Sequence, residues 1–225
     1  MSAIASFTDG HRTVLVVDTE AFDVAAVSFE SAKIHLLPTL GAAFAVRGRL
    51  GSGLHLYKSI LGTNIGPDAL IEHMPMLMDG ALEYADSLLE GDAEMRAKLE
   101  VILAAWSHDR GRMTLHHFRI ENGGTQINRF IESALAPGGD FPLRDIEPTR
   151  QGMVELLGRQ VRYLRAAHPD AASGGRFAAC ELTRDSISIE VVPGVPARTT
   201  RPGVRKAPLP DEALLQAAID EAYSN

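Results

Sequence analysis

The run Thr13–Asp18, TVLVVD, limits the fold more than any other stretch of the chain. Its centre is apolar without alternation, as expected of a strand covered on both faces, so a layer must lie on each side of it. Its neighbours extend the pattern. Ser2–Thr8 alternates around Ile4 and Phe7, and Asp9-Gly10 is a hairpin turn signal between the two runs. Lys33–Leu37 and Gly41–Arg47 are two more candidate strands, with Pro38 between them.

Helical spacing follows. Leu54, Tyr57 and Leu61 mark a helix over Gly51–Leu61, and Pro67 suits a first helical position. From there to Leu89, Leu70, Met74, Leu77, Met78, Ala81, Tyr84 and Leu88 keep the 3.6-residue period, with Pro75 expected to kink or break the helix. Strands return at Leu99–Trp106 and Arg112–Ile120. Glu121–Ile146 is rich in Gly, Pro and Asn and reads as loop. Pro148–Ala167 is a long helix, and Phe177–Leu182 and Ser186–Val192 are two closing strands around Thr183-Arg184-Asp185. Residues 193–210 hold five prolines and read as an extended linker, and Asp211–Tyr223 reads as a last helix. The domain is therefore expected over residues 1–192 and the appendage over 193–225. Strands, two helices, strands, one helix, strands is not the order of a doubly wound sheet. It suits an α+β fold of two antiparallel sheets packed together with helices outside.

Composition narrows the function. The 225 residues are 45% hydrophobic and 23% charged, ordinary for a globular chain. No apolar run reaches the ~20 residues that cross a bilayer, and the start lacks a secretory pattern, so a cytoplasmic protein with no membrane role is expected. The single cysteine, Cys180, excludes an internal disulfide and a cysteine-based zinc site, and it reads as buried and inert. A net charge of −7 disfavours nucleic acid. No metal or cofactor is expected. His116-His117 alternate on a strand and cannot easily share a metal. His108-Asp109 reads as a surface turn. Met74, Met76, Met78 and Met95 read as core filling, and Glu83, Glu90, Asp92 and Glu94 as a solvated face. The basic segment RTTRPGVRK either docks a partner or is flexible.

Four places hold residues suited to amide chemistry. Ser2 follows Met1, and an initiator methionine is usually trimmed before so small a residue. Trimming exposes a serine beside its own α-amine, whose ordinary pKa near 8 allows it to take the hydroxyl proton. Many chains begin Met-Ser without catalytic meaning. Asp18 ends a buried strand and needs a partner. Lys33 opens a later apolar strand, and the two form either a structural ion pair or a pair that tunes a nearby nucleophile. Gly48 sits at a strand-to-helix turn where backbone N–H groups can face a reacting oxygen. The surrounding GRLGSG lacks the ending and context of a P-loop. Asp170 and Ser173 lie in DAASGG, between the long helix and a strand, which otherwise reads as a glycine-rich helix exit.

In order and spacing these positions resemble the proteasome β-subunit and HslV superfamily of N-terminal nucleophile (Ntn) hydrolases. The resemblance covers roughly Ser2 to Val192. It implies a four-layer αββα sandwich. Ser2 and Asp18 keep the family's sixteen-residue spacing of nucleophile and aspartate, and Lys33 stands where the family has its catalytic lysine. Gly48 matches the oxyanion-hole glycine. DAASGG is similar to the D-x-x-S-G-G motif, whose Asp and Ser, here Asp170 and Ser173, support the nucleophile's amine. The turn LTRDSI is similar to the strand–turn–strand that follows.

The sequence departs from the family in three ways. Serine replaces the usual threonine. ALAPGGD, with Ala136-Pro137-Gly138, lacks the family's loop serine. No propeptide is expected before Ser2, and maturation is expected to rest on loss of Met1. Three functions follow as expectations: a peptide or amide hydrolase using Ser2, a catalytically inactive scaffold or assembly subunit, or a small-molecule amidase. The resemblance also implies a homo-oligomer. An ATPase or other partner is left open.

Overall fold

The computed structural model describes residues 2–22, 28–48, 50–87, 99–121, 124–128, 131–136, 147–167 and 173–198. Among them the fold is α+β, with antiparallel sheets and three α-helices. The strands are β1 (Ile4–Thr8), β2 (Arg12–Asp18), β3 (Glu20–Phe22), β4 (Ser28–Glu30), β5 (Ile34–Leu37), β6 (Ala42–Arg47), β7 (Glu100–Ser107), β8 (Arg112–Glu121), β9 (Gly124–Asn128), β10 (Ser133–Ala136), β11 (Phe177–Thr183) and β12 (Ile187–Val192). The helices are α1 (Leu50–Leu61), α2 (Pro67–Ser87) and α3 (Arg150–Ala167). One sheet runs β10-β1-β2-β11-β12 and the other β5-β6-β7-β8-β9, while β3 and β4 form a short ribbon.

Period-2 alternation in strands buried on both faces assigns the core. Ile4, Leu15 and Val17 of the first sheet meet Ala43, Ala45, Ile102 and Ala104 of the second in one cluster. Their sequence neighbours Ala3, Ala5, Val14 and Val16 turn the other way, onto Met153, Leu157 and Val161 of α3. In the second sheet Phe44, Val46, Val101 and Leu103 face Leu56 and Ile60 of α1 and Leu70, Met74 and Met78 of α2. TVLVVD is apolar throughout because one of its faces serves the inter-sheet core and the other serves α3.

Local signals set several ends. In the β1–β2 turn, Asp9 Oδ1 accepts from the N–H groups of His11 and Arg12, 2.9 Å each, and Gly10 has φ +87°. Thr149 caps α3, its Oγ1 accepting from Gly152 N at 3.0 Å. Two expectations are corrected. The stretch Glu121–Ile146 is not all loop: β9 pairs with β8, and β10 pairs with β1 in the register Ile4↔Ala136. Strands that a sheet edge templates take their hydrogen bonds from the neighbour, so their own weak pattern does not announce them. Of the kink or break expected at Pro75, the break is absent: helix α2 runs from Pro67 to Ser87. The buried residues Leu70, Met74, Leu77, Met78 and Ala81 pin it on both sides of the proline. The ribbon of β3 and β4 is a further addition.

No described helix is long and apolar enough to cross a membrane. The predicted helix over Asp211–Tyr223 lies outside the described residues, as do Met95, Glu90, Asp92 and Glu94.

Candidate functional site

Antiparallel pairing gathers four of the singled-out segments at one end of the sheets. In the first sheet Ile4 pairs with Val17, and Phe177 with Asp18, so the start of β1, the end of β2 and the approach to β11 are neighbours. In the second, Lys33 O accepts from Val46 N at 2.9 Å, which sets the start of β5 beside the end of β6 and the Gly48 turn.

Asp18 is the centre. Its side chain is fully buried, and its Oδ1 accepts from Ala3 N at 2.8 Å and from Lys33 Nζ at 3.1 Å. Its Oδ2 accepts from Gly174 N at 2.9 Å. Burial pushes the carboxyl above the ordinary carboxylate range, against the opposing pull of Lys33 and of the Ala3 and Gly174 N–H groups. Lys33 donates a second bond to Glu20 O at 2.5 Å, so its buried ammonium has two defined acceptors. Residue 3 and the lysine thus share one carboxylate oxygen, and Ser2 is the next residue along the chain. Ser2 itself is half-buried.

Ser173 is fully buried, and its Oγ has no hydrogen-bond partner among the described residues. It adjoins Gly174, which clamps Asp18. Gly174 has φ +151°, and Gly175 has φ +76°. A Cβ on Gly174 would lie 1.9 Å from an Arg165 guanidinium nitrogen, and one on Gly175 would lie 2.8 Å from Thr19 Oγ1. Two glycines in succession are required by close approach, and on Gly175 by backbone conformation as well. Gly48 lies exposed between β6 and α1. Asp170 and Met1 lie outside the described residues. The structure therefore brings Asp18, Lys33 and the Ser173-Gly174 turn into one network. Ser2 adjoins Ala3 in the chain, and Gly48 lies two residues beyond Val46, whose N–H bonds Lys33 O.

Two members escaped sequence reasoning. Glu20 has a fully buried side chain, and its Oε2 accepts from an Arg165 guanidinium nitrogen at 2.8 Å. A glutamate two residues beyond Asp18, after a continuous apolar strand, was the available signal. Arg165 sits in the last turn of α3, where a basic residue is expected for other reasons.

The other polar features stay apart. His117 Nε2 lies 2.7 Å from Glu100 Oε1, and Arg47 bonds the other oxygen. Burial alone would raise the Glu100 carboxyl, but the His117 bond and the Arg47 charge outweigh it and leave it below its ordinary value. Burial pushes the Cys180 thiol up to about 12. A cavity of about 310 Å³ opens between the start of α2 and the β7–β8 turn, lined by Asp68, Glu72, Ser107, Arg110 and His116 among others.

No family model matches the chain, and no curated protein matches it. Among solved structures, an Anbu mutant from Hyphomicrobium sp. strain MC1 is similar over 100% of this chain and 98% of its own, with a TM-score of 0.57 and 10% identity. This corrects the membership expected from the motifs: the comparisons do not place the chain in the proteasome β-subunit and HslV superfamily. One or two residues per motif is a small signature. An aspartate and a lysine closing buried strands, or glycines at a tight exit, are also what packing alone selects. What the chain shares with Anbu is a fold.

Proposed function

We propose that the chain hydrolyses amide or peptide bonds with Ser2 as nucleophile once Met1 is removed. The observation that carries this reading is the shared Asp18 oxygen. It holds the N–H of Ala3 and the ammonium of Lys33 together, beside the one residue whose hydroxyl and amine would act as a pair. The buried Ser173 hydroxyl, without a partner among the described residues, supports it, since such a group calls for a polar partner and a freed α-amine is one.

In this reading the α-amine of Ser2 takes the hydroxyl proton as Oγ attacks the carbonyl carbon. Lys33 lowers the cost of the developing charge, with Asp18 orienting it. The N–H of Gly48 donates to the oxyanion. The carbon–nitrogen bond breaks, the amine leaves with the proton returned by the α-amine, and an ester to Ser2 remains. Water then attacks that ester by the same proton route and releases the acid. Ser173, with Asp170, holds the amine. The architecture that goes with it is a four-layer αββα sandwich, supported by three apolar clusters, one between the sheets and one beneath helices on either side. A cytoplasmic homo-oligomer goes with it, and Leu54, Leu61, Met76 and Tyr84, exposed on α1 and α2, are the surface offered for self-association. The domain would span residues 1–192, with 193–225 as its appendage.

Intact mass and peptide mapping after treatment with a peptide epoxyketone, which needs both the hydroxyl and the amine, test this. Loss of Met1 and an adduct on Ser2 are expected, with no adduct in Lys33→Ala. Retained Met1 with no adduct overturns the hydrolase. A catalytically inactive scaffold is the second reading, since a fold shared at 10% identity brings no catalytic residue with it. A defined oligomer without turnover of peptide or acyl-amide libraries would select it.

A further inference from the structure

Glu20 and Arg165, 145 residues apart in sequence, meet directly behind Lys33 and Asp18. The Arg165 guanidinium makes three directed bonds. Its Nε donates to Ser173 O at 2.7 Å, one terminal nitrogen to Pro196 O at 2.8 Å, and the other to Glu20 Oε2 at 2.8 Å. Glu20 is as fully used. Its Oε1 accepts from Arg198 N at 2.5 Å and from Ser28 Oγ at 3.3 Å. Its backbone N donates to Gly174 O at 3.0 Å, and its backbone O accepts from Lys33 Nζ.

We infer that the Glu20–Arg165 pair is a positioning device, fixing the backbone carbonyl that holds Lys33 and the turn whose N–H holds Asp18, and strapping Pro196–Arg198 to both. Three observations separate this from an ordinary surface ion pair. The carboxylate is fully buried and the arginine side chain is 16% exposed, so the charges are not screened by water. The planar fork reaches three acceptors on three chain segments, which a point charge does not do. The pair also lies against Gly174 so closely that a Cβ there would sit 2.6 Å from Glu20 Oε2, so the turn's glycine is itself demanded by the pair. Neither residue touches a reacting atom. Each acts through Lys33 and the Ser173-Gly174 turn.

The effect on turnover rests on the hydrolase reading, but the placement of Lys33 does not, and the test uses that difference. The full chain is exposed to a limiting water-soluble acetylating ester at fixed pH, and peptide mass spectrometry gives the ratio of acetylation at Lys33 to that at exposed Lys58. Arg165→Met is expected to raise the ratio about tenfold, because the Glu20 carbonyl and the turn that holds Asp18 are no longer fixed and Lys33 opens locally. Arg165→Lys should fall between it and wild type. Glu20→Gln keeps the shape of the side chain, folds most readily, and should raise the ratio about threefold. A ratio within twofold of wild type in folded Arg165→Met and in Glu20→Gln overturns the inference. If the Arg165 variants do not fold, Glu20→Gln decides alone. Absence of epoxyketone labelling in wild type would remove the hydrolase and leave this ratio readable. If wild type is labelled, the variants should lose labelling rate with little loss of inhibitor binding.

Discussion

Two buried acid–base clusters stand at the same end of the fold and are built differently. Glu100 is held by Arg47 and His117, side chains of the strands on either side of it in one sheet. Asp18 is held by two backbone N–H groups, Ala3 and Gly174, on the strand approaches either side of it in its own sheet, and by Lys33, which reaches it from the other sheet. The first cluster satisfies a polar strand end. The second couples the beginning of the chain, the start of β5 and the exit from α3. A carboxylate that takes main-chain donors fixes where backbones lie, whereas one that takes only side chains leaves them free to adjust.

That contrast breaks most readily at Asp18. Asp18→Ala leaves a buried ammonium without its counter-charge, with only the Glu20 carbonyl as acceptor, and takes the acceptor from two N–H groups; it should cost about 3–5 kcal/mol, read from urea unfolding. A loss below that of Glu100→Gln would erase the distinction. Gly174→Ala comes next, at about 1–3 kcal/mol, because a methyl group there must drive Arg165 away from Glu20. Its signature is a raised acetylation ratio at Lys33 alongside the lower unfolding midpoint.

Glu100→Gln should cost about 1–2 kcal/mol, since the amide keeps one acceptor oxygen for Arg47 or His117 and loses both the charge and the second acceptor. Here pH sharpens the comparison. The Glu100 carboxyl lies below its ordinary value of 4.5 in the folded chain, so its contribution is full above that value and fades as pH falls through the lower folded one. The difference between wild type and Glu100→Gln should therefore shrink in acid, as paired unfolding curves at falling pH would reveal. The smallest effect belongs to Glu30→Gln. Glu30 is held down to about 2, chiefly by its bonds to Arg176, and both side chains are solvent-exposed. The unfolding midpoint at pH 7 should not move, and carboxylate titration by NMR should show Glu30 as the late-protonating group.

Much of the layering was legible in the residues. TVLVVD, the AAFAV run before Gly48 and the apolar stripe of α3 each announce a covered face, and the Asp9-Gly10 turn announces a hairpin. At the site, Asp18 and Lys33 were legible as a pair because each is a charge at the end of an apolar strand. Glu20, Arg165, β9 and β10 were not. Glu20 and Arg165 look like ordinary surface charges until their partners are known, and β10 has hydrogen-bonding identity only beside β1. The wider family membership read from the motifs did not hold, because short patterns report the packing needs of a fold as readily as descent.

Periodicity is a local property, written in the chain by which neighbours are apolar, so the sequence by itself determined that β2 would be covered on both faces and that α3 would bury one stripe. It also required a partner for Asp18, since a buried carboxylate without one is too costly. Which donors arrive there was decided only by the tertiary structure. Ala3, Lys33 and Gly174 converge because two sheets and the exit of α3 are stacked in one register, and no short-range pattern encodes a contact across 156 residues.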